Sequence, residues 1–238
     1  MSQELSERLR RVRERATAAA VRAARDPGDM VILGVAKRQP ASRIADAVRA
    51  GLDHVAENFA QEARDKMPQV AALLRETGTP APRWHFIGRL QRNKARYVAR
   101  LFDCVESVDR IELARELDHR AILAGRRLDV LIQVNLRGED QKGGVDPDRV
   151  GQLLEECRSC ERIRVTGLMT VPPASEDPEA SRPVFAALRE LRSELRRSPG
   201  GDTLRELSMG MSADFEVAIE EGATIARVGT AIFGPRED

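Results

Sequence analysis

Two stretches far apart in the chain hold the residues most able to do chemistry. VILGVAKRQP (31–40) sets Lys37 at the end of an apolar run, just before a proline. SMGMSADFEVAIEEG places Ser212 ahead of a helical pattern, and RVGTAIFG brings Arg227, Gly229 and Thr230 together. A lysine at the edge of a hydrophobic core can be a solvated charge snorkelling to the rim or a phosphate clamp. It can also be a nucleophile whose pKa burial lowers until its amine attacks a carbonyl. Ser212 can cap the helix behind it, or its hydroxyl and the first free N–H groups can hold a phosphate. Gly229 lets backbone N–H groups approach an oxyanion with no side chain in the way. A reactive lysine beside a phosphate cradle fits an aldehyde cofactor that carries a phosphate.

Those residues act together only if the fold brings the two stretches to one place. Eight short apolar runs read as buried parallel strands: 31–36, 54–58, 84–88, 102–108, 128–135, 164–171, 204–210 and 224–229. Stretches of helical periodicity lie between them, such as ASRIADAVRAG and SRPVFAALRELRSELRR. Eight strands alternating with helices is the count of a closed (β/α)8 barrel of the TIM type. No G-x-G-x-x-G follows the first strand, which argues against a doubly wound sheet. The N-terminal segment repeats Leu5, Leu9, Val12, Ala16, Ala20 and Ala24 at helical spacing, so residues 1–27 read as an extra helix packing on the barrel. The expectation is one domain over residues 1–238. In such a barrel the functional face lies at the C-terminal ends of the strands. Lys37, Asn58, Asn135, Ser212 and Gly229 all fall there, and the first and eighth strands are neighbours.

Composition excludes several classes. The 238 residues carry a net charge of +1, which provides no global field for nucleic acid or an anionic membrane. The basic segment GRLQRNKARYVAR (88–100) reads as a solvated helix face. No apolar stretch approaches the roughly 20 residues needed to span a bilayer. Three cysteines do not suggest a disulfide framework, so a reducing, cytoplasmic setting is expected. Cys157 and Cys160 form a C-x-x-C without a second pair or a nearby histidine to complete a zinc site. His54, His85 and His119 lack metal-ligand spacing, and no metal site is expected.

GVAKRQP, AENFAQE, WHFIGRLQRNK, GLMTV, SMGMSADFEVAI and RVGTAIFG, in that order, resemble the pyridoxal 5′-phosphate (PLP) homeostasis proteins, the YggS/PROSC-like family, over nearly the whole chain. The resemblance implies a barrel like the N-terminal domain of alanine racemase, with PLP bound as a Schiff base to Lys37. It further implies that Ser212, Gly229 and Thr230 hold the phosphate, that Arg227 faces the pyridine nitrogen and that Asn58 lines the pocket. An arginine stays protonated and donates to the ring nitrogen, leaving that nitrogen uncharged and weakening the ring as an electron sink. The alternative for Arg227 is a strand-end charge paired with Glu216 or Glu220. Ala36, Ala56 and Phe59 depart from the family's usual residues, and Phe59 loses a hydroxyl.

The resemblance implies storage, buffering or delivery of PLP, with PLP-dependent apo-enzymes as partners and a monomer as the expected state. A racemase-type enzyme is the alternative; it needs acid/base groups on both faces of its substrate. In the racemases a tyrosine of a separate β-domain is one of them, whereas the single tyrosine here, Tyr97, falls in the helix after the third strand. No residue is therefore assigned a catalytic role. A Schiff-base aldolase would need an acid/base pair near Lys37, for which only Glu57 and Asp214 offer themselves. An interaction protein built on the charged first helix would leave the strand-end pattern unexplained.

Overall fold

The structure, a computed structural model, describes residues 3–137 and 143–235. Parallel strands pair in chain order and close into an eight-stranded barrel. They are β1 (Val31–Val35), β2 (His54–Glu57), β3 (Arg83–Phe86), β4 (Cys104–Val108), β5 (Leu128–Gln133), β6 (Ile163–Met169), β7 (Glu206–Ser208) and β8 (Ile225–Val228). The helices are α1 (Gln3–Arg22), α2 (Ala41–Arg49), α3 (Ala60–Arg75), α4 (Ala95–Leu101), α5 (Ile111–Leu123), α6 (Val150–Cys157), α7 (Arg182–Leu195), α8 (Phe215–Glu220) and α9 (Thr230–Phe233). The TIM-type reading is the observed fold, with α1 as the additional helix.

A parallel sheet covered by helices is buried on both faces, which is why its strands read as continuous apolar runs. Alternation still sorts their side chains. Leu33, Ala56, Cys104, Leu131, Met169 and Ile225 pack together inside the barrel. Val55, Trp84, Phe86, Val105, Val130 and Ile132 point the other way, into the larger core beneath the helices. Two residues on from the inner set, the same parity aims Glu106, Arg227 and Asn58 inward.

Several strands stop short of their expected ends. β1 ends at Val35 and β2 at Glu57, so Lys37 and Asn58 lie beyond the ladder, in the connections. β7 spans only Glu206–Ser208, not 204–210. Each end is trimmed where a polar or glycine-containing turn begins, which apolar content alone does not reveal. The short WHFIG run does form a strand, β3, paired on both sides.

α1 buries Leu5, Leu9, Val12, Ala16, Ala19 and Ala20. Arg15 binds Glu216 at 2.7 Å and Arg22 binds Glu220 at 2.8 Å, tying α1 to α8. Those two glutamates are therefore engaged with α1, and the expected alternative partners of Arg227 are ruled out.

Candidate functional site

Lys37 sits in a tight turn directly after β1. Gln39 N donates to Ala36 O at 3.0 Å across the turn, and Arg38 adopts φ 61°, a left-handed conformation unfavourable for a side chain of that size. Something must hold such a turn, and α3 supplies it. Glu62 Oε1 accepts from Arg38 N at 2.6 Å, and Lys66 Nζ donates to Ala36 O at 3.2 Å, so the turn is gripped on both sides of Lys37. Lys66 also binds Glu57 at 2.7 Å and Glu62 at 2.5 Å. Burial pushes the Glu57 carboxyl up to about 7 against the pull of Lys66, and its Oε2 is buried with no partner.

Asn58 follows Glu57, and its Oδ1 is also buried without a partner. Its backbone is pressed against Gly88: a Cβ there would lie 2.0 Å from Asn58 O, so only glycine permits the approach. An orphaned carbonyl oxygen at the functional face is an acceptor waiting for a donor.

On the other side of β1, Ser212 does not cap the following helix; Asp214 occupies that position. Ser212 Oγ instead accepts from Gly229 N at 3.2 Å and Ala231 N at 3.4 Å, spanning from the β7 connection to the end of β8. Asp214 is spent locally, accepting from Met211 N at 2.6 Å and Ser181 Oγ at 2.9 Å. A Cβ built on Gly229 would meet Val35 only at 3.5 Å, so its lack of a side chain is not demanded by protein packing. Thr230 opens α9 and is exposed. Thus Ser212, Gly229 and Thr230 gather at the end of β8, next to the strand that leads into Lys37.

Arg227 lies one layer deeper, level with Leu33 of β1 and 4% exposed. Its guanidinium donates to Ser208 Oγ and to Thr170 O, both at 2.8 Å. Burial pulls its pKa down, while Glu106 and Asp214 oppose that fall. Ser208 in turn donates to Glu106 Oε2 at 2.5 Å, and His85 Nδ1 lies 2.7 Å from Glu106 Oε1. Burial alone would raise Glu106, yet His85, Arg227 and Ser208 outweigh it and hold the carboxylate below its usual range.

Sequence reasoning missed this inner group and the Lys66 clamp. Its signals were an acid of inward parity in FDCVESV and a lysine four residues after Glu62. Two of the histidines meet: His54 Nδ1 and His85 Nε2 lie 3.0 Å apart on neighbouring strands. His85, Cys104 and Glu106 also bring ligand-type atoms within 4.8 Å of one another. Both ring nitrogens of His85 and both oxygens of Glu106 have protein partners, and burial holds the Cys104 thiol well above its usual value. The group is built as a hydrogen-bonded network. Burial likewise raises Cys157 to about 12 and Cys160 to about 11, the opposite of what a redox pair needs.

The convergent N–H groups, the hydroxyl and the orphaned Asn58 oxygen fit a phosphorylated ligand that also carries a hydrogen-bond donor. The family model described as alanine racemase, N-terminal domain, matches residues 3–237. The chain is similar to a pyridoxal phosphate homeostasis protein of Aquifex aeolicus, 46% identical over 97% of this chain and 98% of that one. It is similar to the structure of PipY from Synechococcus elongatus with PLP bound, at 35% identity and TM-score 0.79, covering 97% of this chain and all of the other, 100%. An alanine racemase of Clostridium difficile, 15% identical with TM-score 0.70 and covered over 57% of its length, shares the fold. The chain belongs to the alanine racemase N-terminal domain family, among the pyridoxal phosphate homeostasis proteins of that family.

Proposed function

We propose that this chain binds PLP at the C-terminal face of its barrel and serves the supply of that cofactor, by storage, buffering or delivery. The observation that carries the reading is the meeting of Ser212 Oγ with the N–H groups of Gly229 and Ala231 beside the clamped turn of Lys37. Bound PLP supplies an aldehyde that condenses with an amine and a ring that withdraws electrons. Lys37 provides the amine, and Glu62 and Lys66 fix the turn that aims it. Ser212, Gly229 and Thr230 hold the phosphate. Arg227 donates to the ring nitrogen, and Asn58 offers its free oxygen to a donor on the ligand.

The same geometry favours a carrier over a racemase. Two-sided proton transfer needs two free acid/base groups at the face. Tyr97 lies on α4, its hydroxyl taken by Arg96 at 2.5 Å. Asp214 is locked by Met211 and Ser181, and Glu57 by Lys66. No described helix is long and apolar enough to cross a membrane. The partners in this reading are PLP-dependent apo-enzymes, and the chain acts as a cytoplasmic monomer.

Reconstitution with PLP is expected to give a visible absorbance band that Lys37→Ala lacks, with no racemisation of amino acids beyond that of free PLP. A Lys37-dependent, steady racemisation would move the protein to the enzyme class. A chain that takes up no PLP would defeat the reading altogether.

A further inference from the structure

The middle of the barrel holds a line of polar side chains where aliphatic packing is the usual filling. It runs from His54 through His85, Glu106 and Ser208 to Arg227. Four strands contribute besides β8, so the line crosses the barrel rather than following one element. Glu106 and Ser208 are fully buried at 0% exposure, and His85 is nearly so at 3%.

The hydrogen atoms in this line have little choice. Arginine can only donate, so Ser208 Oγ accepts from Arg227 and its own proton must go to Glu106. The carboxylate can only accept, so His85 carries its proton on Nδ1. Its Nε2 meets His54 Nδ1 at 3.0 Å. Each polar atom between the two ends has a protein partner. A network satisfied in this way fixes its members in a single arrangement.

We propose that Glu106 is a positioning residue for Arg227, acting through Ser208 to hold the guanidinium in place and aimed at the ring nitrogen of the bound cofactor. This rests on the PLP reading given above. Arg227 is deeply buried, and a buried cation without a counter-charge is strongly disfavoured. Glu106 is the carboxylate joined to it through a single hydroxyl, and the 2.5 and 2.8 Å contacts on either side of Ser208 make that link rigid. His85 and His54 secure the far oxygen of Glu106. His54 ends the line at a cavity of about 310 Å³ on the opposite face of the barrel, lined also by Arg83, Cys104 and Glu206. The electronic setting of the cofactor ring is therefore established from inside the barrel, by buried residues linked to it through Arg227.

The test compares Glu106→Gln, Arg227→Gln, the double variant and Ser208→Ala, each reconstituted with PLP. The readouts are the position of the visible band, PLP affinity and the melting temperature of the apo-protein. Glu106→Gln and Ser208→Ala are expected to shift the band and weaken PLP binding about tenfold, the worth of one charge-assisted hydrogen bond. In the Arg227→Gln background, Glu106→Gln is expected to add no further shift. Ser208→Ala removes the link without burying a new charge, so it decides the matter if Glu106→Gln does not fold. Unshifted bands and unchanged affinity in Ser208→Ala and Glu106→Gln, with only a lower melting temperature, would overturn the inference and leave the PLP reading standing. A wild type that forms no adduct would overturn the PLP reading, and this inference with it. In that case, non-additive melting temperatures of the apo-variants would show only the ion network.

Discussion

Glu57 and Glu106 are both completely buried, Glu57 in a direct ion pair with Lys66 and Glu106 joined to Arg227 through Ser208, yet their environments hold them in opposite states. Glu106 has partners on both oxygens and stays below the ordinary carboxylate range. Glu57 has Lys66 on one oxygen and nothing on the other, and burial lifts it to about 7. Desolvation is the largest influence on each; at Glu106 the hydrogen bonds and charges of its partners outweigh it, whereas at Glu57 the neighbouring Glu62 adds to it and Lys66 does not overcome it. Glu106 is committed to being an anion for Arg227. Glu57 can take a proton and still accept from Lys66, whose charge then falls to Glu62. One supports a cation that cannot be neutralised, the other a turn that must be held.

The sharpest way to break this contrast is to replace both glutamates by glutamine. Glu106→Gln removes the carboxylate linked to the buried guanidinium through Ser208, leaving Asp214 as its opposing charge, and is expected to cost about 3–5 kcal/mol of stability in denaturant unfolding. Glu57→Gln imitates the protonated acid while Lys66 keeps Glu62, so about 1 kcal/mol or less is expected near neutral pH. Equal losses would mean the two sites do not differ as described.

Next in size is the clamp itself. Glu62→Ala removes the acceptor for Arg38 N and one partner of Lys66. A loss of about 1–3 kcal/mol is expected, with slower formation of the Lys37 adduct in stopped-flow absorbance. Loss of stability with an unchanged adduct rate would show that α3 does not aim Lys37.

The pH dependence separates the two regions further. Between 4.5 and about 7 the folded state binds the Glu57 proton more tightly than the unfolded chain, so this group makes stability fall as pH rises through that window. His54 works the other way: burial, then His85, lower it from 6.5 to about 4. Its contribution is fully present above 6.5 and is lost as pH falls toward 4. Glu57→Gln should remove the first slope and expose the second. An unchanged profile in urea titrations at several pH values would contradict the raised Glu57.

The smallest effect is expected from His54→Asn, at the solvent end of the central line. It removes one neutral hydrogen bond and should cost about 0.5–1.5 kcal/mol, without moving the PLP absorbance band. A shifted band would mean that the far end of the line reaches the cofactor.

The barrel was legible because both its layers are written in residue type. Apolar runs gave the strands, and the helical repeats between them gave the cover. That Lys37, Ser212, Gly229 and Thr230 gather at neighbouring strand ends was legible as well. The supports were not, because they depend on register between strands distant in sequence. Glu106 and Ser208 are 102 residues apart and meet only when the barrel closes. Of the two readings of Ser212, the capping one fails for a local reason: the following helix starts at Phe215, after Asp214, which leaves the hydroxyl for β8. Arg227 came only with the family resemblance, and its partners lay on strands that gave no sequence signal of contact.

The central claim is that Lys37, and no other lysine, takes the cofactor. The chain has four lysines, at 37, 66, 94 and 142, and Lys142 lies outside the described residues. Lys66 reaches the same turn as Lys37 and is the natural competitor. Borohydride reduction of the PLP-loaded protein, followed by peptide mass mapping, reads the attachment directly. A pyridoxyl mass on the peptide containing Lys37 alone, lost in Lys37→Ala, is the predicted result. A label on Lys66, or one spread over all the lysines, would contradict the account.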